Sequence, residues 1–480
     1  MVFSSVIFIF YFLPVFLLGY YALGWRAGAL LVGSVCFYTW GEGAYVFLLL
    51  ALIGLNYAGS LWLSAAAQGP PRKTVLAALV ACDFAVLGYF KYSEFLAHNL
   101  NALWPQVRLP EAHHALPLGI SFFTFQLVSY AVDVFRGSVK VERDPVRFAA
   151  YILMFPHLIA GPIVRYADIR DEMHADRRRA GHVGLGLQYF IVGLAQKVLV
   201  ANTVAPLADH GFGLDAAHLD ATAGWLGIWA YTLQIYFDFC GYSNMAIGLA
   251  FLLGFTFPRN FDYPYAAQSI TDFWRRWHMS LSSWFRDYVY IPLGGNRLGR
   301  LKTVRNLLVV FFLTGLWHGA AWRFIAWGLY HGGFLMLERF GLGRIVGRAP
   351  RLLRHAYALL AVMIGWVFFR ADNLPHALRY LGALADPGRF KAPDVPLILI
   401  LNAQTLAALA IGSVLAFPTL PVLLQRLGAP RADAPRPDLP PRLDTRSVHA
   451  LPVALLAAGF VLSIAFLVGS TLNPFLYFRF

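Results

Sequence analysis

Long apolar stretches separated by short polar segments run along almost the whole chain of 480 residues. Most of these stretches have roughly the length that an α-helix needs to cross a bilayer, about 20 residues. Because several are short or broken by Gly and Pro, the pattern predicts about 11–12 transmembrane helices. The predicted spans are residues 5–22, 27–40, 44–65, 74–96, 117–133, 184–205, 222–256, 306–321, 322–338, 355–370, 396–417 and 449–470.

The composition points to the same class of protein. Hydrophobic residues make up 59% of the chain and charged residues 13%, and the mean hydropathy is +0.58. A soluble domain has about 25% charged residues. A soluble fold of this length has no interior large enough for so much apolar surface, so the sequence predicts an all-α polytopic membrane protein. Residues 1–21 lack a basic start and an A-x-A-like cleavage site, so we interpret them as a retained first span.

The net charge of +14 is concentrated in short segments between the apolar runs. This is the positive-inside pattern of membrane proteins, and it argues against nucleic acid as a partner. Placing the basic loops in the cytoplasm alternates sides consistently, with both termini outside. The basic segments are Arg72/Lys73, Arg136–Arg147, Arg165–Arg179, Arg259–Arg305, Arg339–Arg354 and Arg426–Arg446.

The apolar segment Phe148–Val164 breaks this alternation, because basic loops flank it on both sides. It also contains two prolines, a glycine and His157. A re-entrant hairpin would keep both flanks inside, and such backbone survives at membrane depth only when it is buried in protein or lines a cavity. The alternative is a simple span broken by proline.

Two polar regions interrupt the predicted single membrane domain, residues 1–480. Residues 259–305 are too polar to span and are rich in Trp, Tyr, Phe and Arg, which is typical of the membrane–water boundary, so we predict a cytoplasmic or interfacial segment. Residues 426–446 are rich in proline and charge and predict an irregular cytoplasmic loop. No tandem repeat is visible, which weakens an inverted-repeat transporter interpretation.

Several common chemistries lack their usual sequence marks. The cysteines form no CxxC pair, so we predict small buried side chains and no metal site; they are Cys36, Cys82 and Cys240. There is no G-x-S-x-G elbow, Walker loop, G-x-G-x-x-G or H-E-x-x-H motif. The segment His210–Asp215 fits an H-x4-D spacing, but it falls in a predicted external loop and so short a match carries little weight.

Two histidines stand out as candidates for chemistry. His318 follows a continuous apolar run and precedes Gly319, where a polar ionisable group is costly unless it is paired or functional. Histidine can pass protons near neutral pH, so His318 suits the deprotonation of a hydroxyl that attacks a thioester; a structural hydrogen bond is the alternative. His278 would share one helix face with Trp274 and Trp277, either as a packed interfacial residue or as part of a site.

Asp238 lies inside an apolar run as well. A buried carboxylate needs a cation or several donors, so Asp238 would orient a histidine or pair with an arginine. A purely structural ion pair is the alternative.

These segments together resemble the membrane-bound O-acyltransferase superfamily, and within it the bacterial alginate O-acetylase-type branch. The resemblance runs from end to end in the same order. The motifs are PLGISFFTFQLVSYAVDVFRG (117–137), FPHLIAGPIVRY (155–166), DFCGYSNMAIGL (238–249), NFDYPY (260–265), DFWRRWHMSLSSWFRDYVYIPLGGNR (272–297), GLWHGAAW (315–322) and NPFLYFRF (473–480).

The resemblance implies a ring of membrane helices around a thin central core, with funnels from both faces. It implies transfer of an acyl group, usually acetyl, onto the hydroxyl of a polymer or carrier. His318 in WHG matches the catalytic histidine of the family and His278 in RRWH its second characteristic position. Trp317, Trp277, Asp238 and Asn244 would support them.

The implied setting is the bacterial inner membrane. No bound cofactor or metal is expected, and an acyl thioester, acetyl-CoA or an acyl carrier protein, would be the co-substrate. Arg275, Arg276 and Arg286 are candidates for its phosphates, against simple positive-inside anchoring. A periplasmic acetyltransferase partner and a polysaccharide acceptor, alginate first, complete the expectation; a transporter or flippase and a scaffold of a secretion complex are the rivals.

Three positions depart from the family pattern. The family commonly has DFSGYSD where this chain has Cys240 and Asn244, and the Asn removes a charge near the expected site. His157 stands where Gln is frequent. These changes would tune the site without abolishing its function.

Overall fold

A computed structural model of the chain describes residues 2–66, 69–106, 108–111, 114–175, 183–215, 218–426 and 452–469. These residues form α-helices joined by short π-helical and 3-10 turns, and no β-strand occurs within those ranges. The predicted all-α class is therefore confirmed. The Pro-rich loop predicted after Arg426 and the final motif at 473–480 lie outside the described residues.

Within the described residues, five helical stretches are long and apolar enough to cross a membrane. They are Tyr45–Ala65, Pro70–Leu103, Val183–Gly213, Ala221–Leu252 and Arg351–Arg370. Shorter apolar helices of 10–17 residues occupy Phe8–Ala22, Ala403–Leu415 and Val453–Gly469. These helices confirm the polytopic character; the larger number of spans taken from the sequence stays a prediction.

The chain divides into two compact units, residues 1–190 with 245–258 and residues 191–244 with 259–480. The helices that begin in the first unit are α1 (Leu13–Ala22), α2 (Arg26–Glu42), α3 (Tyr45–Ala65), α4 (Pro70–Leu103), α5 (Ile120–Arg136), α6 (Pro145–Leu153), α7 (Phe155–Leu158), α8 (Tyr166–His174) and α9 (Val183–Ala195). The helices that begin in the second unit are α10 (Asn202–Gly213), α11 (Ala221–Leu252), α12 (Ile270–Arg276), α13 (Met279–Phe285), α14 (Arg300–His318), α15 (Trp322–Leu337), α16 (Gly343–Arg348), α17 (Arg351–Arg370), α18 (Leu374–Ala385), α19 (Val395–Ile400), α20 (Ala403–Leu415), α21 (Thr419–Arg426) and α22 (Val453–Gly469).

The segment at 148–164 is broken and wholly buried in the first unit. Helix α6 has 9 residues and α7 has 4, far short of the ~30 Å hydrocarbon core at about 1.5 Å per residue. Side chains stabilise the break, since the Tyr151 hydroxyl donates to the Val164 carbonyl at 3.1 Å and His157 Nε2 bonds the Tyr151 carbonyl at 2.8 Å. A continuous helical span is excluded here, and the re-entrant path itself stays a prediction.

Candidate active site

Helices α14 and α15 form a tight hairpin that carries His318 at the end of its first arm. Glycines allow the two backbones to touch. A Cβ atom added at Gly315 would lie 2.3 Å from the Phe324 carbonyl oxygen, and one at Gly328 would lie 2.2 Å from the Phe311 carbonyl oxygen. Backbone atoms cannot move aside as a flexible side chain can, so this close crossing requires glycine.

We therefore expect Gly328→Ala to destabilise the hairpin by about 1–3 kcal/mol, the usual range for an overpacked core. Gly333→Ala is the matched control, because a Cβ atom there meets nothing within 4 Å. The midpoint of thermal unfolding of the purified proteins, together with membrane abundance, measures the difference. Equal behaviour of the two variants would show that the crossing tolerates a methyl group.

His318 ends α14 among aromatic rings and is only 3% exposed. Its ring lies edge-on to Trp327 at 4.9 Å and to Phe369 at 5.2 Å, measured between ring centroids. The next residue, Gly319, is extended and leaves the helix. The structure therefore buries His318 beside small residues, as predicted.

His278 lies between two helices and not within one. Helix α12 ends at Arg276, Trp277 is extended, and His278 precedes α13 in the left-handed region with φ 43°. The predicted continuous helical face of Trp274, Trp277 and His278 is therefore wrong. Asn260 explains the break, because its backbone carbonyl oxygen accepts a hydrogen bond from Met279 N at 2.9 Å. A continuing helix would not allow this interaction.

The Asn260 side chain also sets the tautomer of His278. The Ser280 backbone N–H and hydroxyl meet Asn260 Oδ1 at 3.3 and 2.9 Å, and a backbone N–H only donates, so this amide atom is the oxygen. His278 Nδ1 lies 3.1 Å from the same oxygen and must carry the proton. His278 Nε2 therefore carries a lone pair and no proton, and it has no hydrogen-bond partner among the described residues.

The electrostatic setting keeps His278 neutral. Its side chain is fully buried, and this burial lowers its pKa to about 3. Among the described residues only Tyr263 and His278 have a positive φ without being glycine. Backbone strain of this kind costs about 1–3 kcal/mol and often marks functional positions. A pKa this far below neutral makes the ring a weak proton acceptor, so its bare, oriented Nε2 is suited to accepting a hydrogen bond from a hydroxyl and not to removing its proton.

Trp317 contacts both histidines. Its ring centroid lies 6.0 Å from that of His278 and 4.9 Å from that of His318. We call Trp317, Trp274, Trp277, Trp327 and Trp366 the tryptophan wall. Trp327 contacts Trp274 at 5.7 Å and Trp366 at 6.0 Å, and Trp366 contacts Trp277 at 4.9 Å. The structure therefore brings together His318, His278, Trp317 and Trp277, all predicted from the sequence.

Helix α12 is anchored at its start by Glu338, which follows α15. The carboxylate accepts from Ile270 N at 2.6 Å, from Thr271 N at 2.9 Å and from the Thr271 hydroxyl at 2.6 Å. The Tyr357 hydroxyl donates a further bond of 3.0 Å. A negative charge at a helix start is also favoured by the helix dipole. Glu338 thereby fixes the helix that leads to His278.

We expect Glu338→Gln to lower stability by about 1–3 kcal/mol, because an amide NH₂ would face a backbone N–H that only donates. Acyl transfer should slow as well, since α12 would hold His278 less firmly. Tyr357→Phe removes one donor only and should be mild. Thermal unfolding and transfer rate of both variants test this, and wild-type values for Glu338→Gln would refute the anchoring role.

Asp238 forms a buried ion pair with Lys197. The two side chains are 3% and 4% exposed, so the charges are removed from water together. The cation is a lysine from the segment after α9, where the sequence predicted an arginine or a histidine. Such a pair holds α11 against the preceding segment.

Asn244 lies six residues after Asp238 on α11. Its amide nitrogen donates to Gln196 Oε1 at 2.8 Å and approaches Cys240 Sγ at 3.5 Å. The two departures from the family pattern thus contact each other, and the Asn244 amide is oriented by Gln196. In the first unit, the departure His157 stacks on Phe257 at 5.2 Å and bonds backbone, which is a packing role.

The three candidate arginines do not form one site. Arg276 bonds Asp272 at 2.8 Å and Arg286 holds Asp287 at 2.7 Å, so both already have carboxylate partners. Arg275 is exposed and has no side-chain partner among the described residues. Of the three, Arg275 alone is placed to meet an added anion.

Sequence inspection missed four residues of this region: Lys197, Asn260, Glu338 and His331. Lysine in an apolar run was a usable signal for Lys197. His331 is fully buried, and neither ring nitrogen has a partner within the described residues. It lies 5.3 Å from Trp327 and 5.3 Å from Trp274, in an LYHG segment that parallels LWHG.

The weak H-x4-D match is not a pair in the structure. Asp215 bonds His218 at 2.8 Å, and His210 lies 3.7 Å from Asp394. No group of three potential metal ligands occurs in the part of the chain that the structure describes.

Comparison with known proteins agrees with these motifs. The model of the membrane-bound O-acyltransferase family matches residues 111–369, more than half of the chain and a range that includes both histidines. The chain is 41% identical to the probable alginate O-acetylase AlgI of Azotobacter vinelandii and 41% identical to that of Pseudomonas putida, over 100% of each chain. It is 35% identical to the peptidoglycan O-acetyltransferase of Helicobacter pylori over 79% of both chains. The chain belongs to the membrane-bound O-acyltransferase family.

Proposed function

We propose that the protein is an O-acyltransferase that moves acetyl from a cytoplasmic thioester donor across the inner membrane for O-acetylation of an exopolysaccharide. Alginate is the first candidate, because the relatives that match over their whole length are named as alginate O-acetylases. The observation that carries the proposal is that His318 and His278 both contact Trp317 in a buried aromatic site.

The chemistry of the proposal is a proton-coupled acyl transfer. An imidazole nitrogen takes the proton of the acceptor hydroxyl while the hydroxyl oxygen bonds the thioester carbonyl carbon. The carbon–sulfur bond then breaks, and the leaving thiolate takes the proton from the imidazolium. In a relay variant, a His318 nitrogen bonds the thioester carbonyl carbon, the carbon–sulfur bond breaks, and the thiolate leaves with the proton of the other ring nitrogen. The acceptor hydroxyl then takes the acyl group as its carbon–nitrogen bond breaks, and its proton returns to the imidazole.

The two histidines have different roles in this proposal. His318 contacts the substrates as base or transient acyl acceptor. His278, which Asn260 orients and whose Nε2 has no partner among the described residues, accepts a hydrogen bond from the hydroxyl and positions it. The tryptophan wall excludes water, which would otherwise hydrolyse the thioester.

The donor is acetyl-CoA or an acetylated carrier protein, and its phosphates would meet Arg275 on the basic side. The acetyl group leaves toward the periplasm, where a partner transferase or the polymer itself receives it. No bound cofactor takes part in the proposal.

Deletion of the gene in the native host tests the function. If the protein is an acyltransferase, we expect the deletion strain to secrete a normal amount of polymer that has lost its ester-linked acetyl groups, measured by NMR. If it is a transporter, flippase or scaffold, we expect loss of the polymer itself. Retained acetylation in the deletion strain would refute the proposal.

A further inference from the structure

A pocket of about 540 Å³ opens in the first unit beside the start of α6 and along α8. Four cationic side chains form its rim: Lys140, Arg143, Arg147 and Arg170. We call it the basic pocket. Its volume lies within the range of small-molecule sites, about 300–1,000 Å³, and exceeds what one inorganic phosphate needs.

The floor of the basic pocket is a buried network around Glu142, which is 4% exposed. Glu142 Oε2 accepts from the Tyr166 hydroxyl at 2.5 Å and from His174 Nε2 at 2.8 Å, and Oε1 accepts from Asp144 N at 2.9 Å. Arg147 lies 3.2 Å from His174 Nδ1; a guanidinium only donates, so Nδ1 accepts and Nε2 carries the proton. The Glu142 carboxylate is thus fully used by donors of the floor.

The second carboxylate of the pocket is also occupied. Asp144 caps α6 by accepting from Val146 N at 2.8 Å and Arg147 N at 3.3 Å, and it lies 3.5 Å from the Arg147 guanidinium. On the rim, Arg170 holds Asp171 at 2.9 Å. By contrast, Lys140 and Arg143 are exposed and have no side-chain partner among the described residues. The pocket therefore carries two cations that no protein anion neutralises.

Hydrogen bonds to the backbone fix the segment that carries Lys140 and Arg143. The Tyr57 hydroxyl donates to the Arg143 carbonyl at 2.6 Å, and the Glu142 backbone N–H donates to the Tyr130 hydroxyl at 2.8 Å. A ligand would find the loop already ordered, which lowers the entropic cost of binding. Arginine with lysine at a preformed cleft favours phosphate groups, because guanidinium binds phosphate oxygens in a bidentate way.

We propose that the basic pocket binds a phosphate-bearing ligand larger than phosphate itself, with Lys140 and Arg143 contacting the phosphate oxygens. Two sources share this chemistry at a cytoplasmic membrane face: a soluble diphosphate compound and the headgroup of an anionic phospholipid. The inference does not depend on acyl transfer, because it rests only on residues of the first unit.

The experiment uses the full chain purified into phosphatidylcholine nanodiscs. Calorimetry measures binding of pyrophosphate and of coenzyme A, and native mass spectrometry measures retention of phosphatidylglycerol added to the discs. Arg143→Gln is compared with Lys73→Gln, which removes one exposed charge from the first turn of α4 and leaves the pocket intact.

We expect at least about tenfold weaker binding for Arg143→Gln and wild-type binding for Lys73→Gln, since a charge-assisted phosphate contact is lost in the first variant alone. Binding of coenzyme A or pyrophosphate with this pattern assigns a soluble ligand; the same pattern for phosphatidylglycerol alone assigns a lipid headgroup. Binding of none of the probes, or equal weakening in both variants, overturns the proposal.

Discussion

Replacing His278 by Gln is expected to slow acyl transfer about 10–10²-fold, because one oriented hydrogen bond to the reacting hydroxyl is lost. The reason is the Nε2 lone pair, which Asn260 holds in one direction and which the flexible side chain of Gln would not hold there. Asn260→Ala should slow transfer less, because it frees the ring without removing it. His355→Gln is the matched control, since His355 belongs to the same unit, is half-buried and bonds the Ala267 carbonyl at 3.1 Å.

The rate of ester formation on the polymer, normalised to membrane abundance, measures this effect. The account also predicts no inflection near pH 6.5 from His278, because burial lowers its pKa to about 3 and the ring stays unprotonated from pH 5 to 8. Equal rates for His278→Gln and His355→Gln would remove His278 from the chemistry and leave it a packing residue.

Replacing Lys197 by Met is expected to destabilise the fold by about 3–5 kcal/mol, the cost of leaving one buried charge without its partner. Asp238→Leu should cost a similar amount. The double variant should recover much of the loss, because two apolar side chains of similar volume replace the pair.

Membrane abundance and unfolding midpoint of the three variants measure this coupling. Activity of the double variant separates two roles of Asp238. If it is stable and active, the ion pair serves folding; if it is stable and inactive, the charges take part in the reaction. Additive losses in the double variant would contradict the coupling of Lys197 with Asp238.

The sequence was sufficient for the membrane class, and it singled out the two histidines as candidates. Helical spans follow from apolar length alone, because unpaired backbone groups are excluded from lipid. His318 was visible as a polar residue in an apolar run, and the structure buries it among rings as expected. The resemblance to the family added the pairing of His318 with His278, which no local pattern contains.

The local geometry of His278 could not be predicted. Helical spacing placed it on one face with Trp274 and Trp277, but a tertiary contact from Asn260 ends the helix before it. Glu338 was equally hidden, because its role depends on a helix start 67 residues away in the chain. The ion pair of Asp238 was among the alternatives, but its lysine partner was not foreseen for the same reason: neighbours on different helices leave no mark in the spacing of one segment.

The most direct measurement compares polymer acetylation in the native host for wild type, a deletion strain, and His318→Ala at equal membrane levels. His98→Ala serves as the control, because His98 is a surface residue with a 71% exposed side chain. The account predicts that His318→Ala matches the deletion and that the polymer loses its ester acetyl groups. Full acetylation by His318→Ala would contradict it, because His318 would then be structural and the proposed acyl transfer would need another site.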